Sequence, residues 1–236
     1  GHEGSEGGLI FSDTLRTPWL FTSAGDCVRI TGLRVRGPYL HRDRIDVDSR
    51  GISTTHFGTE IDNCEISGFR SSATGFGAGA SRGYVHHNHI HHNQQAGLGY
   101  GVSLAGDVLI EGNLFDWCRH HIASSGAPGS GFEARYNICG ENANSHLFDM
   151  HGGRDRGDAT DIAGDWMNIH HNTFMCEEAR SVGIRGVASH GAKIHHNWFH
   201  SPDPENVVRT AGGTEVYQNM LGPEKTLISQ LEITYD

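Results

Sequence analysis

The sequence predicts an all-β protein in which a single domain winds into a solenoid of about eight coils. Two observations lead to this prediction. A short phrase recurs along most of the chain, and the stretches between its copies are rich in glycine and in β-branched or aromatic residues. No apolar stripe with helical spacing runs far, which argues against a helical repeat. The length of 236 residues suits one domain that builds its own core.

The repeated phrase consists of an aliphatic or small residue, two polar residues, asparagine, any residue and an apolar residue. Its asparagines are Asn88, Asn113, Asn137, Asn172, Asn197 and Asn219, and Leu33 and Cys64 take that place in two earlier copies. Most copies lie 22 to 25 residues apart, which is enough for about three short strands with turns. Asparagine tolerates the left-handed backbone of a sharp corner, and its amide can bond to the asparagine of the next coil. We therefore predict an internal asparagine ladder.

The predicted domain spans residues 9–236. Residues 9–26 are expected to cap the open end of the core, as terminal coils must. Residues 152–165 are polar and are interpreted as a loop insertion between two coils. Residues 1–8 are interpreted as a tail or a cloning remnant outside the fold.

Composition excludes two classes of partner. The net charge of −10 argues against bulk nucleic-acid binding, which needs a basic surface. No stretch approaches the ~20 apolar residues of a membrane helix, so we expect no membrane span. Most of the five cysteines are expected to be buried as small apolar residues, with one disulfide possible. The chain has only two lysines but 18 histidines, so cationic chemistry must come from arginine or histidine.

Phrases such as Ile169-His-His-Asn172-Thr-Phe174 resemble the right-handed parallel β-helix family of pectate-lyase-like, carbohydrate-active proteins. The resemblance extends from Cys27 to about Gly222. It implies a right-handed parallel β-helix, a polysaccharide partner and a secreted or cell-surface location. The fold hosts lyases, hydrolases, epimerases and binders, so it does not select among them. Pectate-lyase relatives often use lysine and arginine with Ca²⁺, whereas this chain has no lysine in the candidate region.

The candidate region lies on the strand that precedes each asparagine phrase by ten to fifteen residues. The apolar residues of these strands that are expected to point inward are Val102, Ile122, Phe148, Ile184 and Val208. Alternation along a strand then sends one residue of each coil outward into a single column, namely Ser103, Ala123, Asp149, Arg185 and Arg209. Adjacent members of such a column lie about 4.8 Å apart. The alignment therefore predicts Asp149 beside Arg185.

Ionisable residues are densest around Asp149 and in the two preceding coils. The predicted catalytic residues are His146, His120, Tyr100 and Asp149, and the predicted substrate-binding residues are Arg119, His121, His151, Arg185 and Arg209. These groups suit abstraction of a proton next to a carboxylate, with arginine stabilising the developing charge. His146 or His120 would be the base and Tyr100 the proton donor, while Asp149 would orient a histidine or bind a cation. The leading hypothesis is β-elimination or C5 epimerisation of an extended, uronate-containing polysaccharide.

Several alternatives remain open from the sequence. A glycoside hydrolase would need Asp149 and a second carboxylate from Glu133, Asp155 or Asp161. A non-catalytic carbohydrate-binding or surface β-helix is the third hypothesis. No cofactor is certain, but the carboxylates of Asp155, Asp158 and Asp161 are a possible Ca²⁺ site, and the His-x-x-Asp-x-His motif ending at His151 is a less favoured Zn²⁺ site.

Paired histidines also recur before the ladder asparagine, as in His170–His171 and His195–His196. Their fixed place in the repeat favours a solvated corner over a site, with at most weak affinity for Zn²⁺ or Ni²⁺. The oligomeric state is not indicated by the sequence.

Overall fold

A computed structural model describes residues 8–12, 19–38 and 48–230, and the side chains of residues 229 and 230 are not included in that description. The predicted tail up to residue 7, residues 13–18 of the predicted cap, and residues 231–236 at the end of the predicted domain lie outside the described residues.

The described chain is built almost entirely from short strands. In chain order they are β1 (Gly8–Phe11), β2 (Phe21–Thr22), β3 (Arg29–Thr31), β4 (Leu33–Arg36), β5 (Arg50–Thr54), β6 (Glu60–Asp62), β7 (Glu65–Ser67), β8 (Ser72–Phe76), β9 (Gly83–His86), β10 (His89–Asn93), β11 (Tyr100–Leu104), β12 (Asp107–Glu111), β13 (Leu114–Cys118), β14 (His120–Ser124), β15 (Gly131–Arg135), β16 (Ile138–Cys139), β17 (Phe148–Met150), β18 (Trp166–His170), β19 (Thr173–Phe174), β20 (Val182–Ile184), β21 (Ala192–His195), β22 (Trp198–Phe199), β23 (Val208–Thr210), β24 (Thr214–Leu221) and β25 (Thr226–Gln230). Two single-turn helices, α1 (Gly153–Arg156) and α2 (Pro204–Val207), interrupt them.

The strands stack in parallel on three faces. Sheet 1 contains β2, β5, β8, β11, β14, β17, β20 and β23. Sheet 2 contains β3, β6, β9, β12, β15, β18, β21 and the first half of β24. Sheet 3 contains β1, β4, β7, β10, β13, β16, β19, β22 and the second half of β24. Within the described residues the chain makes eight coils, each running from sheet 1 to sheet 2 to sheet 3, which confirms the predicted solenoid.

The core is a stack of equivalent side chains from successive coils. In sheet 2 the inward residues include Ile110, Ile169 and Ile194, all fully buried. In sheet 3, Phe174 and Phe199 occupy paired positions, and their ring centroids lie 4.8 Å apart. Each coil places an inward apolar residue directly over the equivalent residue of the preceding coil. The inward residues of successive short strands therefore form one continuous core.

The asparagine ladder is confirmed at the corner between sheets 2 and 3. The side-chain amide of Asn172 donates to Oδ1 of Asn197 at 3.0 Å, and that of Asn197 donates to Oδ1 of Asn219 at 3.0 Å. The predicted left-handed backbone is misplaced by one residue, since it falls before the asparagine, as at His171 with φ 54°. The residue before the asparagine adopts the left-handed conformation that makes the turn. The asparagine is needed because its buried side-chain amide bonds to the equivalent amide of the next coil.

The predicted cap contains strands of the solenoid, and the predicted insertion connects two of them. In the described part of the predicted cap, β1 pairs with β4 and β2 pairs with β5, so both extend existing sheets. The predicted insertion 152–165 connects β17 with β18 and contains α1.

The five cysteines are free thiols, four of them buried, so the possible disulfide is absent. Within the described ranges, no helix has the length and apolar character needed to span a bilayer.

Candidate functional site

Sheet 1 carries a groove whose floor is made of small residues. The strand register places one outward residue from each coil in a column: Thr22, Ser53, Gly75, Ser103, Ala123, Asp149, Gly183 and Arg209. Six of these eight residues are Gly, Ala, Ser or Thr, so most of the column leaves open space. Trp19 lies across this floor, because a Cβ at Gly75 would come within 2.2 Å of its ring. Asp149 stands among the small residues, and Arg209 is the other charged residue of the column.

The predicted column is correct at Ser103, Ala123, Asp149 and Arg209 but wrong at Arg185. Phe148 pairs with Val182 rather than Ile184, so Gly183 takes the place beside Asp149. Arg185 lies just beyond the end of β20 and reaches back to Asp149 with its long side chain. The two-residue error arose because the length of the turn before β20 cannot be read from the alternation of the strand itself.

One wall of the groove is a stack of aromatic rings from three successive coils. The rings of Tyr100 and His120 lie 5.5 Å apart with an angle of 19°, and those of His120 and His146 lie 5.8 Å apart with an angle of 8°. These three residues were predicted to be neighbours despite being 20 and 26 residues apart along the chain. The stacking of parallel coils brings them together.

Asp149 is the centre of the site. It is fully buried, and Arg185 donates to both of its carboxylate oxygens, with Nε 3.0 Å from Oδ1. Nε2 of His151 lies 3.1 Å from Oδ2, Nε2 of His120 lies 3.4 Å from Oδ2, and Nδ1 of His146 lies 3.6 Å from Oδ1. Burial opposes ionisation of the carboxyl, but the hydrogen bonds from His151 and Arg185 outweigh it and hold the pKa of Asp149 below its usual range. The site is thus organised around one permanent negative charge.

His120 supports this centre from inside the wall. Its ring is fully buried, its Nδ1 donates to the carbonyl of His146, and its Nε2 accepts from Arg119 at 2.6 Å. Burial lowers the pKa of His120 to about 4, so the ring is neutral at pH 7. With both nitrogens engaged and no exposed edge, His120 cannot reach a substrate proton and does not fit the predicted role of base. Arg119, which was predicted to bind substrate, donates instead to the buried ring of His120.

His121 was predicted to bind substrate, and its position rules this out. Its ring is fully buried and stacks on Phe115 inside the coil, with centroids 5.5 Å apart. Both ring nitrogens are shielded from solvent. Burial lowers the pKa of His121 to about 3. His121 is therefore a core residue that resists protonation.

This position yields a prediction about acid stability. The unfolded chain protonates a histidine below pH ~6.5, whereas folded His121 stays neutral down to about pH 3, so stability falls as the pH drops through that interval. We expect His121→Phe to raise the free energy of unfolding at pH 5 by about 2 kcal/mol relative to the parent, beyond any change at pH 7. Urea unfolding at both pH values measures this, with exposed His190→Gln as control. An identical pH dependence in parent and His121→Phe would contradict it.

His151 and His146 are the half-buried histidines of the centre, with 31% and 28% of their side chains accessible. His151 faces Asp149 through Nε2, and its Nδ1 has no partner among the described residues. His146 has Nδ1 toward Asp149 and Nε2 3.4 Å from Nη1 of Arg180, and burial lowers its pKa. Of the two, His151 leaves a nitrogen open to the groove.

Two cavities lie over sheet 1 on either side of Asp149. The first, of about 490 Å³, is lined by Trp19, Tyr100, Ser103 and His151 among others. The second, of about 460 Å³, is lined by His146 and by four arginines and two aspartates: Arg154, Arg180, Arg185, Arg209, Asp155 and Asp161. The second cavity is therefore cationic, although the chain as a whole carries a charge of −10. Together they form an extended groove with an aromatic half and a cationic half.

Comparison with known families agrees with this architecture. A family model described as a right handed beta helix region matches residues 21–221. The chain belongs to the right-handed β-helix family. No curated protein and no solved structure matches it. The family establishes the fold of this β-helix and leaves its chemistry to be argued from the groove.

The possible Ca²⁺ site of the β-helix is not assembled. Each of the three aspartates is held by a different arginine: Asp155 by Arg185 at 3.0 Å, Asp158 by Arg156 at 2.8 Å, and Asp161 by Arg154 at 3.6 Å. These pairs direct the carboxylates to separate partners instead of a common point. Residues 152–165 thus form a wall of the groove that is tied by ion pairs.

The possible Zn²⁺ site is partly assembled but already neutralised. Two residues of the predicted motif, His146 and Asp149, join His120 in a group whose ligand atoms lie within 4.8 Å of one another, whereas the third motif residue, His151, is not part of this group. However, Arg119 donates to His120 Nε2, and Arg185 donates to both oxygens of Asp149. A dication at this point would face two guanidinium groups in contact with its ligands, so these residues do not fit a resident metal.

Sequence reasoning missed Trp19, Arg154 and Arg180 in the groove of this β-helix. Arg180 lies two residues before Val182 and therefore beside His146, and the correct register of β20 would have revealed it. Trp19 enters from the N-terminal segment and Arg154 from α1. Neither belongs to the repeat, so the repeat contains no signal for them.

Proposed function

We propose that this β-helix is a carbohydrate-active enzyme that cleaves or epimerises an extended, uronate-containing polysaccharide by proton abstraction. The observation that supports this most directly is a solvent-accessible, half-buried histidine, His151, held by the buried carboxylate of Asp149 between an aromatic cavity and a cationic one. A polymer of this kind is met outside the cell, so a secreted or cell-surface location is part of the proposal.

His151 is the proposed base. Asp149 accepts a hydrogen bond from Nε2, which fixes the tautomer and leaves Nδ1 as the proton acceptor facing the groove. The ionised carboxylate also stabilises the imidazolium that forms when the proton arrives. His146, the base predicted from the sequence, has its nitrogens directed toward Asp149 and Arg180, and we assign it to positioning the substrate.

Tyr100 is retained as the proposed proton donor. It lines the same cavity as His151 but belongs to the ring wall, on the other side of the small-residue floor. Its hydroxyl donates to the carbonyl of Gly97 at 3.3 Å, a long bond that a substrate oxygen can replace. A base and an acid on facing walls suit a substrate that loses a proton from one side and gains one on the other.

The cationic cavity is the proposed carboxylate subsite. Arg154, Arg180, Arg185 and Arg209 line it. Arg185 and Arg154 are already paired with aspartates, so the proposal relies chiefly on Arg180, which lies beside the ring of His146, because a guanidinium group binds a carboxylate with paired, charge-assisted hydrogen bonds. Neutralising the uronate carboxylate makes the neighbouring C–H more acidic, because the negative charge that develops on proton loss is delocalised onto that group.

In elimination, His151 takes the C5 proton, the electron pair forms the C4–C5 double bond, and the C4–oxygen bond breaks as Tyr100 protonates the departing oxygen. In epimerisation, the carbanion instead regains a proton at C5 on the opposite face. Both reactions start with the same proton abstraction, so the same residues serve either outcome.

A glycosidase mechanism fits the site less well. Asp149 is buried and held by Arg185, and Asp155 is held by that same arginine, so neither is placed to protonate a leaving group. Glu133 lies on β15 of sheet 2, and its carboxylate contacts Arg135 and His170. Asp161 lines the cationic cavity, where its carboxylate lies 3.6 Å from Arg154.

The proposed function is tested with a panel of polyuronates. We expect absorbance near 235 nm from an unsaturated uronate, or inversion at C5 detected by NMR, and we expect neutral polysaccharides to be inert. New reducing ends without this absorbance would indicate a hydrolase. Binding without any product would support the non-catalytic alternative.

A further inference from the structure

The corner between sheets 2 and 3 carries a two-coil stack of histidines, away from the groove on sheet 1. His170 and His195 stack with ring centroids 5.0 Å apart and an angle of 2°, and His171 and His196 stack at 5.2 Å and 5°. The second histidine of each pair is the exposed corner residue, with φ 54°. We call these four residues the histidine corner.

Within each pair the two Nδ1 atoms face each other. They lie 2.7 Å apart in His170–His171 and 2.8 Å apart in His195–His196. The rings of a pair are nearly perpendicular, at 82° and 86°. Each pair therefore brings two imidazole nitrogens to one point at the surface.

The first ring of each pair is held by a hydrogen bond from its other nitrogen. Nε2 of His170 donates to Oε1 of Glu133 at 3.0 Å, and Nε2 of His195 donates to Oδ1 of Asn168 at 3.1 Å. A proton on Nε2 leaves the lone pair on Nδ1, the atom that faces the partner ring. Oxygen acceptors of this kind orient histidines that bind metals.

We propose that the histidine corner binds a divalent transition-metal ion, Cu²⁺ or Ni²⁺, through the two Nδ1 atoms of one pair. Ligands at about 2.0 Å and at right angles lie about 2.8 Å apart, whereas a tetrahedral ion separates them by about 3.3 Å. The observed separations are those of an N–H···N hydrogen bond within each pair, and an ion with ligands at right angles, as Cu²⁺ and Ni²⁺ favour over Zn²⁺, can replace that proton while the two nitrogens keep about the same spacing. In the metal-free chain the exposed ring donates its Nδ1–H to the first ring, so on binding it moves this proton to its own Nε2 and its Nδ1 lone pair becomes the second ligand.

The stacking of two pairs determines how many ions the histidine corner holds. Equivalent rings of the two pairs lie about 5 Å apart, so dications on both pairs would repel each other strongly. One ion therefore occupies the corner, and either pair can hold it. Similar pairs at His86–His87 and His91–His92 lack this stacked neighbour and bind independently.

The test uses the full chain, CuCl₂ or NiCl₂, and isothermal titration with native mass spectrometry. Asparagine tolerates the left-handed corner, so His171→Asn and His196→Asn preserve the fold. Each single variant is expected to keep the ion, and the double variant is expected to bind one ion fewer per chain. EPR of the Cu²⁺-loaded chain should show axial symmetry with nitrogen coupling, and Zn²⁺ should bind at least tenfold more weakly than Cu²⁺.

Two controls make the result decisive. His190→Asn, at an exposed histidine outside the pairs, should leave the stoichiometry unchanged. His170→Gln with His195→Gln removes the oriented rings on the strands and should reproduce the loss of one ion. Equal metal binding by the parent and both double variants, or an equal loss in His190→Asn, would overturn the proposal.

Discussion

Replacing His151 by glutamine is expected to lower turnover of the preferred polyuronate by about 10³-fold, the effect of removing a general base. Glutamine retains an N–H group that can donate to Asp149, so the buried carboxylate keeps a partner and the fold is maintained. The measurement is the initial rate at 235 nm, or the rate of C5 inversion, together with the thermal midpoint of unfolding.

The matched control is His190→Gln, which changes an exposed histidine away from the groove and should keep full activity. His146→Gln is expected to raise KM more than it lowers kcat, because we assign His146 to positioning. If His146→Gln abolished turnover while His151→Gln remained active, the base would be His146, as the sequence alone suggested, and our reassignment would be wrong.

Asn172→Leu is expected to lower the free energy of unfolding by at least about 3 kcal/mol. Oδ1 of Asn172 accepts from the backbone and side chain of Asn137, and its amide donates to the carbonyl of Ala134 and to Asn197, all at 2.8–3.0 Å. Leucine leaves several of these buried groups without partners, and each such group costs about 1–3 kcal/mol. Urea unfolding at pH 7 measures the loss.

Asn144→Leu is the control for this substitution, because Asn144 is exposed and outside the ladder. It should change the free energy of unfolding by no more than about 0.5 kcal/mol. A loss below 1 kcal/mol in Asn172→Leu would mean that the ladder does not stabilise the coil as its buried bonds indicate.

The repeat predicted much of the candidate site because equivalent residues of consecutive coils stack on one another throughout the solenoid. Once the coil length was known, Tyr100, His120 and His146 had to lie on consecutive coils, and their rings do stack. Alternation also correctly placed Ser103 and Asp149 on the outer side of sheet 1. These predictions needed only the period of the chain and the two faces of a strand.

The repeat could not predict what happens where strands end. His120 and His121 are adjacent at the start of β14, yet one contacts Asp149 and the other enters the core, where it stacks on Phe115. Arg185 reaches Asp149 from beyond β20, and Trp19 reaches the groove from outside the repeat. Long side chains at turns take the direction that their neighbours allow, and sequence spacing does not encode that direction.

The sequence by itself determined that this protein is a parallel β-solenoid and which asparagines form its ladder, because each coil must bury the same stripe as the one before it. Only the tertiary structure decided which ionisable side chains surround the buried carboxylate of Asp149. Burial and ion pairing at Asp149 depend on distances of 3 to 4 Å between residues up to 36 positions apart. Those distances are determined by turn lengths and side-chain directions, which no period in the sequence specifies.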